Sequence, residues 1–155
     1  MSLPKRLLGS SGVKITTIGF GAWAIGGGGW AFSWGPQDDD ASLATMRHAI
    51  DLGVTWIDTA AVYGLGHSEE VIGRLLRSLP AFGHPLVFTK CGLVWDERNP
   101  MAEPRRVLKP ESIRRDVRRA RQRRQDVLLH VVGADASAHQ RHGDLDRADV
   151  IEPSG

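Results

Sequence analysis

The sequence predicts an α/β protein of the parallel kind: a β-hairpin followed by the opening three to four βα units of a (β/α)8 TIM barrel. Three observations predict it. Segments with a period of two alternate with segments of helical period, the order that a parallel sheet with crossover helices requires. Polar residues able to do chemistry, Asp58 and Lys90, stand at the ends of successive strand segments, where barrel enzymes carry their sites. The early glycines, Gly19, Gly21 and then 26–29, miss the G-x-G-x-x-G spacing that a doubly wound dinucleotide fold carries at this point.

Element by element, residues 5–18 alternate apolar and polar around Gly9, Ser10, Ser11 and Gly12, a hairpin running on toward a first strand. Ile18-Gly19-Phe20-Gly21 then enters a glycine-rich loop flanked by Trp23, Trp30 and Trp34. A helix follows. Asp38, Asp39 and Asp40 favour its N-terminus, Leu43, Met46 and Ile50 line one face, and Gly53 stands where a C-terminal cap belongs. Residues 54–58 (Val-Thr-Trp-Ile-Asp) form a second strand. Ser68 is expected to cap the next helix, with Glu69 and Glu70 at its positive end and Val71, Ile72, Leu75 and Leu76 as its buried stripe. Residues 86–90 form a third strand, and Ser112 is expected to start a third helix after Pro110. Residues 127–130 are short but strand-like, so the pattern offers at most four barrel strands.

Composition narrows the function classes. Hydrophobic residues are 41% of the chain and charged residues 25%, both ordinary for a soluble globular protein. The single cysteine, Cys91, excludes an internal disulfide and fits a reducing cytoplasm. No apolar run reaches the ~18 residues of a membrane span, and the start lacks the apolar core of a secretory signal. Net charge is only +2, yet Arg114, Arg115, Arg118, Arg119, Arg121, Arg123 and Arg124 crowd seven arginines into eleven residues. Nucleic-acid binding would want base-stacking aromatics among them, and the last aromatic is Trp95. A solvated helix face, or sequence that is not native, explains the cluster better.

Asp58, Tyr63 and Lys90 carry the candidate chemistry. Neighbouring parallel strands lie ~4.8 Å apart, so adjacent strand ends bring the three into one pocket. A lysine ammonium beside a phenol stabilises the phenolate left when the proton departs, and Asp58 would keep the lysine charged and oriented. Such a tyrosine can protonate a carbonyl oxygen as hydride reaches the carbon. Singly, each residue has a plain structural explanation: a loop cap, a packed ring, a solvated strand end. Spacing alone leaves the two explanations level. The tryptophans at 23, 30 and 34 either line a substrate pocket or merely cover the barrel mouth. Cys91 reads as a small buried residue, and His48 and His67 have no metal-ligand spacing.

Gly19-Phe20-Gly21-Ala22-Trp23, Ile57-Asp58-Thr59-Ala60 with Tyr63-Gly64, Ser68-Glu69 with Ile72-Gly73, and Thr89-Lys90 together closely resemble the aldo-keto reductases. Lys109-Pro110-Glu111-Ser112-Ile113-Arg114-Arg115 also resembles that family's third barrel helix. The resemblance spans roughly residues 5–119. It implies a (β/α)8 barrel that reduces aldehydes or ketones to alcohols with NADPH. It implies Asp58, Tyr63 and Lys90 as three of four catalytic groups, with Tyr63 the proton donor. It also implies Gly21, Ala22, Trp23 and Asp58 as residues near the nicotinamide, with no metal.

Beyond Arg119 the pattern is expected to fail. The family continues with a fourth strand and then a histidine followed by tryptophan. Here His130 would be that fourth catalytic group, polarising the carbonyl, but Val131-Val132-Gly133 follows it. Codons GTG-GTG-GGN read one base later give Trp-Trp. Residues 1–130 are therefore taken as a half barrel and 131–155 as a non-family tail, disordered or frame-shifted. An ordinary strand or tail histidine is the other explanation of His130. A full barrel takes typically ~250 residues, so the 155-residue chain is expected to be truncated, inactive alone and prone to self-association through exposed strand edges. A non-catalytic half barrel with a binding or regulatory role is the alternative to an enzyme.

Overall fold

The computed structural model describes residues 3–80, 82–124, 129–131 and 149–150. The expected hairpin comes first: β1 (Lys5–Leu7) runs antiparallel to β2 (Lys14–Thr16), with Lys5 opposite Thr16. Thr16 is buried. Its amide donates to Thr55 Oγ1 at 2.9 Å and its carbonyl accepts the Trp56 indole N–H at 2.8 Å. The hairpin thus seals the end of the sheet where strands begin, opposite the end that carries Asp58.

Three parallel strands follow, β3 (Phe20–Gly21), β4 (Trp56–Asp58) and β5 (Leu86–Thr89). A small antiparallel pair, β6 (Leu93–Val94) and β7 (Arg105–Arg106), occupies the connection after β5. The parallel sheet then continues with β8 (Leu129–Val131) and β9 (Asp149–Val150). Its order, β3-β4-β5-β8-β9, never reverses. A doubly wound sheet reverses at a switch point, whereas a barrel adds each strand to the same edge. β9 is a fifth strand where the pattern gave at most four; two residues are too few to show a period. Of the expected tail 131–155, Val131, Asp149 and Val150 lie in strands and the remainder lies outside the described residues.

Three helices cross over between these strands. α1 (Asp39–Asp51) begins at Asp38, whose carboxylate accepts the Ala41 amide at 2.7 Å. It ends as a Schellman motif: the Gly53 amide bonds to Ile50 O at 2.8 Å and the Val54 amide to Ala49 O at 3.1 Å. Gly53 has φ 96°, which is why a glycine stands there. α2 (His67–Ser78) buries Val71, Ile72, Leu75 and Leu76 as expected, against Met46, Ile57 and Val87. Its cap differs from the expectation. Gly66 precedes the helix without a side-chain cap, and Ser68 lies inside the first turn with its hydroxyl turned to the sheet. α3 (Pro110–Arg124) starts at Pro110 rather than Ser112, because proline's missing N–H costs nothing at a first helical position.

Candidate active site

The C-terminal ends of β3, β4 and β5 meet at Asp58. Its amide neighbourhood is fixed by the sheet: Gly21 and Phe88 are its register partners, and its carbonyl accepts the Ala22 amide at 2.8 Å. Lys90, the residue after β5, spans the gap between strands. Its Nζ donates to Asp58 Oδ2 at 2.6 Å, to the Thr59 carbonyl at 2.9 Å and to the Tyr63 hydroxyl oxygen at 3.2 Å. The three sequence candidates are therefore one hydrogen-bonded unit, with the Thr59 carbonyl as a ligand that side-chain reasoning missed. Because the ammonium donates to the phenol oxygen, the phenol's own proton is left to face another acceptor. The Lys90 and Asp58 side chains are 46% and 37% exposed, so their ion pair contributes little stability. Its consequence is orientation.

Tyr63 is aimed by backbone crowding. The turn Tyr63–Gly66 packs against the turn Ala24–Gly26, and a Cβ on Gly26 would stand 2.5 Å from the Gly64 amide nitrogen. Only glycine permits that approach. Gly64 and Leu65 both adopt left-handed φ, 60° and 54°; for leucine this is a strained conformation of the kind that collects at functional sites. Trp23 lies parallel to the Tyr63 ring, centroids 5.5 Å apart and planes 1° apart, and Trp34 lies 5.7 Å from Trp23. Trp30 lies behind the rim, in a cluster against which Tyr63 packs. It is buried with Ala60 and Val62, and its indole N–H donates to Gly27 O at 3.1 Å.

The remaining candidates separate in the same way. Gly21 is exposed, with open space where a side chain would be, and Trp23 presents an exposed face. Ala22 between them is fully buried, and its carbonyl accepts the Ser68 hydroxyl at 2.8 Å. His130 is set on β8 in register with Phe88, the level of Asp58; its side chain lies outside the described structure. Cys91 is half-buried rather than buried as expected, and that burial, reinforced by the Asp116 carboxylate, pushes its thiol above the usual range. His67 is a helix-end residue held by Asp39 at 2.9 Å. Among the described residues no cluster of His, Cys, Asp and Glu could hold a metal ion. A cavity of about 650 Å³ between the 94–105 connection and α3 includes Trp95, Asp96, Arg115 and Arg119 and none of the three site residues. The site is an open rim of strand ends rather than an enclosed cavity.

Missed by sequence reasoning were the groups behind this rim. Ser68 also bonds to Thr59 Oγ1 at 3.0 Å, and Glu69 is fully buried, accepting Thr89 Oγ1 at 2.6 Å and Arg123 Nη1 at 2.9 Å. Ser68-Glu69 and Thr89 stand inside recognisable motifs, which was the available signal. Arg123 was hidden in a run of like residues.

Comparison with known proteins agrees with the fold. A glycerol dehydrogenase, AKR11B4, from Gluconobacter oxydans superposes with a TM-score of 0.67 at 35% identity, over 85% of this chain and 39% of its own. The NADH-specific methylglyoxal reductase of Escherichia coli is 36% identical over 128 residues, covering 78% of this chain and 38% of that protein. The aldo-keto reductase YhdN of Bacillus subtilis is 39% identical over 88 residues, 57% of this chain and 25% of that protein. The chain thus spans between a quarter and two fifths of these curated relatives, and its sheet is the opening part of their (β/α)8 barrel. The sequence model of the aldo/keto reductase family matches residues 17–133, continuing past Arg119, the limit expected from motifs alone. The chain belongs to the aldo/keto reductase family.

Proposed function

We propose that Asp58, Tyr63 and Lys90 are the proton-donating half of a site that reduces aldehydes or ketones to alcohols, with NADPH as the reductant. One observation carries this: a lysine held at once by a carboxylate, a backbone carbonyl and the oxygen of the one tyrosine in the chain. Loss of the phenolic proton leaves an oxyanion 3.2 Å from an ammonium whose other donors are already engaged. The charge is met by a group that need not move, which is how preorganised sites lower barriers. A purely structural rim has no use for that arrangement, which weighs against the non-catalytic alternative.

A nicotinamide dinucleotide, when bound, supplies hydride to the carbonyl carbon. The residues present fit such a planar ring: Gly21 is open and exposed, and the partly exposed Trp23 ring stacks with Tyr63. Asp58 borders the same rim, while Ala22 supports it from beneath. His130 is the proposed fourth group, polarising the carbonyl from the level of Asp58. The setting is a reducing cytoplasm, where Cys91 remains a thiol. The names of two relatives, a methylglyoxal reductase and a glycerol dehydrogenase, suggest small oxygenated substrates, and the first specifies NADH.

The test follows oxidation of NADPH, and separately NADH, with a panel of small aldehydes and ketones, in a full-length barrel that carries this N-terminal half, with and without Tyr63→Phe. Carbonyl-dependent oxidation that falls by ~10²–10⁴-fold in the variant, with cofactor binding retained, is expected. A variant holding more than about a tenth of wild-type turnover removes Tyr63 as the acid. Turnover with NADH alone reassigns the cofactor.

A further inference from the structure

Lys90 is aimed by its bonds on the open side of the sheet, but its strand end is also gripped from behind. Thr89, the preceding residue, faces the opposite way and is buried. Its hydroxyl donates at 2.6 Å to Glu69 Oε1 in the first turn of α2. The second carboxylate oxygen of Glu69 accepts Arg123 Nη1 of α3 at 2.9 Å. Glu69 is fully buried and the Arg123 side chain only 16% exposed, so both charges are desolvated and matched. Arg123 is in turn fixed by the Trp95 ring, 5.9 Å from its guanidinium carbon. Ser68, one residue before Glu69, ties the ends of β3 and β4 through Ala22 O and Thr59. Two consecutive residues of one helix therefore clamp three successive strand ends.

We propose that Glu69 is a positioning residue for the lysine of the site, acting through Thr89 and held in place by Arg123. A hydroxyl locked to a buried carboxylate fixes the Thr89 side chain and hence the backbone of residues 89 and 90. The root of the Lys90 side chain cannot then rock away from Asp58 and Tyr63. This rests on the function proposed above for Lys90, and its test includes a readout that does not depend on that function.

The chain has four lysines, Lys5, Lys14, Lys90 and Lys109. Limited acylation followed by peptide mass spectrometry gives the rate at each, with the other three as internal references for Lys90. Thr89→Val keeps the shape and removes the hydroxyl, and Thr89→Ser keeps the hydroxyl. Thr89→Val is expected to raise the relative acylation rate of Lys90 by about two- to tenfold, the net worth of one ordinary intramolecular hydrogen bond. Thr89→Ser is expected to stay at the wild-type rate. In carbonyl reduction, Thr89→Val should lower kcat with cofactor binding unchanged, and Thr89→Ser should restore it. An unchanged Lys90 rate in a folded Thr89→Val chain overturns the proposal. Should Thr89→Val fail to fold, Glu69→Gln is read by the same ratio against the same criterion. If a full-length barrel that carries this half reduces no carbonyl, the proposed function fails, while the lysine rates of this chain still decide whether Glu69 positions Lys90.

Discussion

α2 and α3 are adjacent helices of similar length, and opposite chemistry holds them. α2 turns Val71, Ile72, Leu75 and Leu76 inward. α3 turns in Ser112, Asp116 and Ala120, and its nearly buried Arg123 meets a carboxylate on α2. The apolar stripe is strong without being specific, since many pairings of oily faces exclude water equally well. The polar face is specific because its groups need matched partners: Asp116 accepts the Gly92 amide at 3.2 Å, and Arg123 meets Glu69 at 2.9 Å and Glu70 at 3.9 Å. The contrast teaches that the rim holding Tyr63 and Lys90 is anchored in bulk by α2 and in register by α3.

The largest effect on stability should come from breaking the polar side of that contrast. Arg123→Ala leaves the Glu69 carboxylate buried with only a threonine hydroxyl for company. Removing one partner of a buried pair typically costs ~3–5 kcal/mol. A denaturant melt should show that loss, and a change below about 1 kcal/mol would mean that water reaches Glu69. Replacing both charges with apolar side chains of similar volume should restore most of it, which would identify the pair as specifying register rather than adding stability.

Next comes the apolar side. Leu75 is fully buried in the cluster with Met46, Ile57 and Val87. Leu75→Ala should cost ~2–5 kcal/mol, read from the same melt, with the spread set by how far the site collapses. Unlike the loss in Arg123→Ala, no second substitution by charge can repair it. If Leu75→Ala costs under about 1 kcal/mol, the α2 stripe is not the core it is taken to be.

Legibility in the sequence follows the same division. The apolar stripe of α2, the aspartates and Gly53 bounding α1, and the strand ends at Asp58 and Lys90 were all readable, because period and cap chemistry are local. Asp58, Tyr63 and Lys90 were readable as candidates and became a unit only when distances joined them. Ser68 and Glu69 misled. Serine and glutamate at a helix start look like a cap and a dipole partner, and nothing local reveals that both side chains turn to the sheet. The end of α3 was illegible for a related reason. An arginine run carries no apolar period, and Arg123, nearly buried, pairs with a residue 54 positions earlier. β9 is two residues long and has no period to read.

The smallest expected effect sits on the same helix, one turn before Arg123. Arg119 reaches Glu97 at 3.4 Å, with the two side chains 41% and 72% exposed. In that setting the Coulomb gain is screened and offset by the entropy of holding two long side chains. Exposed pairs of this kind give ~0–1 kcal/mol. Arg119→Ala should therefore shift the melt by no more than about 0.5 kcal/mol. Any shift should vanish as ionic strength approaches 1 M, where the Debye length shrinks to about 3 Å. The loss in Arg123→Ala should persist at that salt, because desolvated charges are screened much less. Two arginines four positions apart would then differ severalfold in cost for a reason that charge counting cannot supply. Equal losses in the two variants, or equal sensitivity to salt, would mean that Arg123 is as wet as Arg119 and that the clamp behind Lys90 is not dry.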